Sequence, residues 1–78
     1  LHLDRWCFFM RRNFVESYKL ALYQLVECEF LEKSKLEYFY YFSRFLSLVF
    51  VAYNCGDISK EEFLEEVQDA FNFMKERF

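Results

Sequence analysis

Proline is absent from this chain and glycine occurs once, at Gly56. Those two scarcities remove most fold classes together. Sandwiches and barrels turn every few residues, and their turns draw heavily on Gly and Pro. Long helices joined by short connections remain. Histidine also occurs once, at His2, so a zinc site would have no second imidazole. No apolar run approaches the roughly 20 residues of a membrane-spanning helix. The run from Phe45 to Tyr53 is the longest candidate, and Arg44 ends it. Asp4, Arg5, Arg11 and Arg12 break up the N-terminal apolar residues, so no secretory leader is read there. Leu1 stands where an initiator Met would, which fits a fragment or a processed product.

The excess lies in apolar and aromatic side chains. Of the 78 residues, 55% are hydrophobic and 24% aromatic, with twelve Phe and six Tyr. An ordinary domain is about 45–50% apolar even with Gly counted, and a chain this short has little interior to hide the surplus. Disorder is excluded on the same ground. The expectation is one all-α domain over 1–78: a small three-helix bundle, or a helical hairpin plus a third helix, completed by self-association as a homodimer. The cysteines, Cys7, Cys28 and Cys55, form an odd set without C-x-x-C spacing. They read as reduced, mostly buried thiols of a cytoplasmic protein.

Three helices are expected, at about 3–33, 35–54 and 60–77. In the first, Leu3, Cys7, Met10, Phe14, Tyr18, Ala21, Leu25 and Cys28 recur at steps of three and four, which is one helical face. Phe8, Phe9, Tyr23, Val26 and Phe30 fall on the other side, so this helix should have more than one neighbour. Ser34 begins S-K-L-E, a capping box that starts the second helix. A continuous helix through Ser34 is the alternative, since no Gly or Pro separates the two. The second helix is apolar nearly all round, with a narrow polar stripe at Glu37, Arg44 and Ser47. The third carries Phe63, Val67, Ala70, Phe71, Met74 and Phe78 on its expected apolar face. Its acids come first and its bases last, in the order that suits the helix dipole.

One stretch hints at metal chemistry. Gly56–Phe63, GDISKEEF, resembles the second half of an EF-hand calcium loop. Such a loop takes oxygen ligands at positions 1, 3, 5, 7, 9 and 12, with Gly at 6. Setting Gly56 at position 6 puts Val51, Tyr53 and Cys55 at positions 1, 3 and 5, and none supplies a carboxylate or amide oxygen. Every letter also has a local explanation. Gly56 is the left-handed stop of the second helix, Ser59 and Glu62 form a capping box, and Ile58 staples onto Phe63. No cofactor, no metal and no enzyme activity are expected, because no activated thiol, phosphate loop or Ser-His-Asp set is present.

Binding to another protein is therefore the expected function: a non-enzymatic adaptor, scaffold or regulatory subunit that self-associates through aromatic-rich helices. The candidate contact residues are Trp6, Phe8, Phe9, Arg11, Arg12, Tyr23, Phe30, Tyr40 and Tyr41, with Glu61, Glu65 and Asp69 on the third helix. The acids and tyrosines support an alternative, a small acidic inhibitor or immunity-type protein that binds a basic enzyme. A second alternative is nucleic-acid binding by the basic and aromatic N-terminal segment. The net charge of -3 and the pI near 5.1 weigh against that one. The capping assignment makes a simple forecast. Ser59→Ala should lower unfolding stability by about 1 kcal/mol, while added calcium should leave the melting temperature unchanged; thermal melts with and without the ion check both.

Overall fold

A computed structural model describes residues 13–78 as three helices with no strand among them: α1 (Val15–Phe30), α2 (Lys35–Asn54) and α3 (Lys60–Arg77). The all-α, three-helix expectation holds. The second and third helices have the expected bounds. The first does not run from residue 3 to 33. It begins at Val15, with Asn13 and Phe14 outside it, and residues 1–12 lie outside the described part. Two side-chain bonds, one local and one from across the bundle, mark that start. The Val15 N–H donates to Asn13 Oδ1 at 2.8 Å, and the Phe14 N–H donates to Asp57 Oδ2 at 3.0 Å. Asn side chains favour this short-range bonding over continued helix.

The first two helices are separate, and the stop between them follows from backbone geometry. The Lys33 N–H reaches the Cys28 carbonyl at 3.0 Å and the Glu32 N–H reaches that of Glu29 at 3.4 Å. This is the Schellman pattern, which needs a left-handed residue at its turn. Glu32 fills that place with φ of 51°. The end of α2 repeats the motif with the residue best suited to it. Gly56 has φ of 80°, the Asp57 N–H bonds to the Ala52 carbonyl at 2.9 Å, and the Gly56 N–H bonds to Tyr53 at 3.1 Å.

Both expected caps are present. Ser34 Oγ accepts from the Glu37 N–H at 3.4 Å, and Ser59 Oγ accepts from the Glu62 N–H at 3.1 Å. The return half of each box differs from expectation. Each glutamate accepts from the serine hydroxyl rather than from the serine N–H, at 3.3 Å for Glu37 and 3.4 Å for Glu62. Ile58 and Phe63 both join the core at this corner, as a staple would.

The helices run up, down and up. Asp57 ties the end of α2 to the start of α1, and Tyr38 near the start of α2 meets Phe73 and Phe78 near the end of α3. Between them sits a core of Phe14, Tyr18, Ala21, Phe45, Val49, Ala52, Ile58 and Ala70. The first-helix face read from spacing is the buried one, since Phe14, Tyr18, Ala21, Leu25 and Cys28 are all within 2% of full burial. Tyr18 meets Phe45 edge-on at 6.1 Å between ring centres, a favoured aromatic arrangement. Burying a side chain such as Leu25 or Phe45 stabilises the fold by about 1.5–3 kcal/mol.

Two expectations need correction. Phe71 and Phe78 do not join the buried face of α3, being 52% and 54% exposed. At 100° per residue they stand on the flank of that face, beyond Ala70 and Met74. Cys28 is a buried free thiol as expected, but Cys55 is disulfide-bonded. Its position accounts for the difference: it is the half-buried C-cap of α2, at a chain corner rather than inside the core. Cys7 lies outside the described residues.

The two Schellman turns form a natural comparison. A left-handed conformation at a residue with a side chain costs about 1–2 kcal/mol. Glu32→Gly should therefore raise stability by about 1 kcal/mol, and Gly56→Ala should lower it by a similar amount. No atom lies within 4 Å of a Cβ placed at Gly56, so the loss there is backbone strain alone. Urea unfolding of both variants gives the two shifts, which should be opposite in sign.

Candidate interaction surface

Among the described residues no polar or charged residue is buried, and no cluster of three or more His, Cys, Asp or Glu could hold a metal ion. Two carboxylates of the Gly56–Phe63 corner are engaged: that of Asp57 accepts from the Phe14 N–H across the bundle, and that of Glu62 from the Ser59 hydroxyl. Cys28 donates its thiol hydrogen to the Gln24 carbonyl at 3.3 Å. Burial, and then the nearby Glu37 carboxylate, push this thiol above its ordinary value, so it stays protonated.

Among the described residues, eleven large apolar side chains are also exposed. On α1, Tyr23 and Phe30 are 57% and 79% exposed. They line a groove of about 480 Å³ together with Leu22 and Val26, with Lys19 and Glu27 also along it. Two of the residues expected from sequence are thus brought together. Trp6, Phe8, Phe9, Arg11 and Arg12 fall outside the described residues. Tyr40, 58% exposed, and the half-buried Tyr41 meet edge-on at 5.0 Å near the start of α2.

Glu61, Glu65 and Asp69 are all exposed and lie four residues apart along α3. That spacing makes a single acidic stripe. The stripe and the tyrosine pair are not brought together. Phe63, near the start of α3, stacks with Tyr53 at the end of α2, whereas Phe78 meets Tyr38 at the other end. With a rise of 1.5 Å per residue, Glu61 and Tyr40 stand about 20–25 Å apart along the bundle.

A further apolar surface among the described residues was not expected from sequence. On α3 the sequence Glu61, Leu64, Gln68, Phe71, Lys75, Phe78 advances by alternating steps of three and four, and every member is exposed. It is a second heptad stripe, parallel to the buried one. Next to it on α2 stand Phe39 and Phe50, 44% and 46% exposed. Phe39 stacks on Phe78 at 5.4 Å, and Lys35 Nζ lies over the Phe78 ring at 5.3 Å. Phe50 meets Phe63 at 6.2 Å. Together these residues form an open aromatic seam between α2 and α3. The signal for it was present as the heptad repeat of Leu64, Phe71 and Phe78. It was masked because Phe71 and Phe78 also fit the period of the buried face.

At the far end of the bundle Arg77 bridges two helices. One guanidinium nitrogen bonds to the carboxylate of Glu29 on α1, another to the Phe73 carbonyl at 2.8 Å, and the group lies over the Phe73 ring at 3.5 Å. Lys19 on α1 faces α3 as well, and its charge acts on Glu66 of its own chain. No protein-family model, no curated protein and no solved structure matches this chain.

Acid crowding on α3 has a measurable consequence. Burial, then the neighbouring Asp69 and Glu65, raise the Glu66 carboxyl above its ordinary value, with Lys19 pulling the other way and Glu62 adding to the rise. A carboxyl raised in the folded state contributes stability that is fully present below its unfolded pKa. That stability is lost as pH rises through the folded value. Glu66→Gln should therefore raise the melting temperature at neutral pH, and the gain should vanish below the ordinary glutamate range. Thermal melts across that range test the sign; an equal gain at all pH values would rule out charge as the cause.

Proposed function

We propose that this chain is a non-enzymatic helical interaction module that associates with itself, serving as an adaptor, scaffold or regulatory subunit. One observation carries the proposal. Among the described residues, eleven large apolar side chains are between 44% and 80% exposed, from Phe39 to Leu36. Monomeric soluble proteins rarely keep large contiguous apolar patches in water, and such patches usually mark contacts with partners. Tyr23 and Phe30 on α1, and the aromatic seam of α2 and α3, are the surfaces a partner would cover. Tyr40 and Tyr41 add amphipathic contact area at the start of α2.

A second reading is supported by the acidic stripe of α3. An acidic inhibitor of a basic enzyme would use Glu61, Glu65 and Asp69, without the distant tyrosine pair. Nucleic-acid binding by Arg5, Arg11 and Arg12 of the N-terminal segment has weaker support, because a chain with net charge -3 repels the phosphates they would pair with. Among the described residues no helix is long and apolar enough to cross a membrane. A cytoplasmic location rested on reduced thiols, and the bonded Cys55 removes that support.

Sedimentation velocity over a micromolar concentration series tests the leading reading, at low and at moderate salt. A dimer that persists as salt rises is the expected result, since apolar contacts are screened little. A monomer at every concentration would exclude self-association.

A further inference from the structure

The self-association proposed above does not say which surface the second copy covers. We infer that it covers the seam between α2 and α3, with the two α3 helices antiparallel and adjacent. This places the shared surface on α2 and α3 rather than on α1, where Tyr23 and Phe30 were the expected contacts. The inference rests on the self-association reading, and its test separates the two.

Three observations lead to this surface and to this occupant. First, the exposed stripe of α3 has the alternating three and four spacing that one helix presents to another. The buried face of α3 is already used by its own chain, at Ala70 and Met74. A helix with two heptad faces has a second helical neighbour to find.

Second, the charges on the stripe complement themselves. Along α3 the polar members are Glu61, Gln68 and Lys75 in that order, and all three are exposed. A two-fold axis passing beside Gln68 sets Glu61 of one copy opposite Lys75 of the other, and brings Leu64 within one residue of the level of Phe71. Both contacts then occur twice, as the symmetry of such a dimer requires. Lys60 falls opposite Glu76 in the same register. A parallel arrangement would instead put Glu61 against Glu61 and Lys75 against Lys75, which is repulsive. The sequence of the stripe therefore favours a second copy, and one orientation of it.

Third, the area is of the order an interface needs. Leu64, Phe71 and Phe78 on α3, with Phe39 and Phe50 on α2, are each about half exposed. At about 100 Å² each they offer on the order of 500 Å² per copy, or about 1,000 Å² across the pair. That reaches the roughly 1,000 Å² that a biological interface should clear and lies just below the 1,200–2,000 Å² of standard ones. The flanking polar residues would add to it.

Charge exchange provides the test, because it leaves the apolar surface intact. Glu61→Lys alone and Lys75→Glu alone each create two repulsive contacts in the dimer and should weaken it about tenfold or more. The double variant E61K/K75E should restore wild-type association. So should an equimolar mixture of the two single variants, in which both cross-contacts become attractive. Phe71→Glu should abolish the dimer without altering the helical circular dichroism, since Phe71 contributes to no buried face. Sedimentation equilibrium measures these five samples beside the wild type. If the wild type dimerises and neither the charge variants nor Phe71→Glu change it, the seam is not the interface, although self-association stands. If the wild type is a monomer throughout, both proposals fall.

Discussion

The central constraint on this molecule is that α2 is apolar nearly all round while only two described helices flank it. One side of α2, at Phe45, Val49 and Ala52, is sealed completely. α1 and α3 run opposite to it on either hand, and the core lies where the three meet. Three short cylinders cannot surround one of their own number. The outer flank of α2, carrying Phe39 and Phe50, therefore stays open. The exposed aromatic residues follow from geometry as much as from composition.

Two turns make that arrangement obligatory. Without them, a chain free of proline would extend as a rod and share no core with itself. Each turn uses a left-handed residue to redirect the backbone, at Glu32 and at Gly56. Only the second uses glycine. The corner at Gly56 does more than reverse the chain, because Asp57 immediately after it holds the N–H of Phe14 at the start of α1. That single bond links positions 43 residues apart and sets α1 beside the end of α2. At the opposite end Arg77 joins α3 to Glu29 of α1. The bundle is thus pinned by polar contacts at both ends and filled by apolar ones between.

The character of the third helix comes from its two faces. One meets the core through Ala70 and Met74. The other alternates apolar and charged residues at heptad spacing, in an order that complements itself only when reversed. Between these faces, burial first and then the crowding of Asp69, Glu65 and Glu62 raise the Glu66 carboxyl. Surface charge here therefore works against the fold slightly while giving the helix a polarity that a second helix can match.

Much of the fold was legible from residue order alone, because helical period, capping and left-handed stops are local. The buried face from Phe14 to Cys28, the serine caps at Ser34 and Ser59, and the stop at Gly56 all depend on neighbours within about one or two turns. The stop at Glu32 was not legible as such, since nothing in the side chain announces a positive φ. Nor was the start of α1 at Val15, which depends on Asp57 from across the bundle. The acids and the tyrosine pair were each recognisable, but their separation along the bundle required the antiparallel course of α2 and α3. The same holds for Phe71 and Phe78. Their spacing suits two adjacent faces of one helix, and only the position of α2 decides which face is covered. Sequence alone determined that this chain is helical, segmented and richer in apolar surface than it can bury. Tertiary structure decided where the surplus emerges, because exposure depends on which neighbours arrive and not on the period of the helix that carries it.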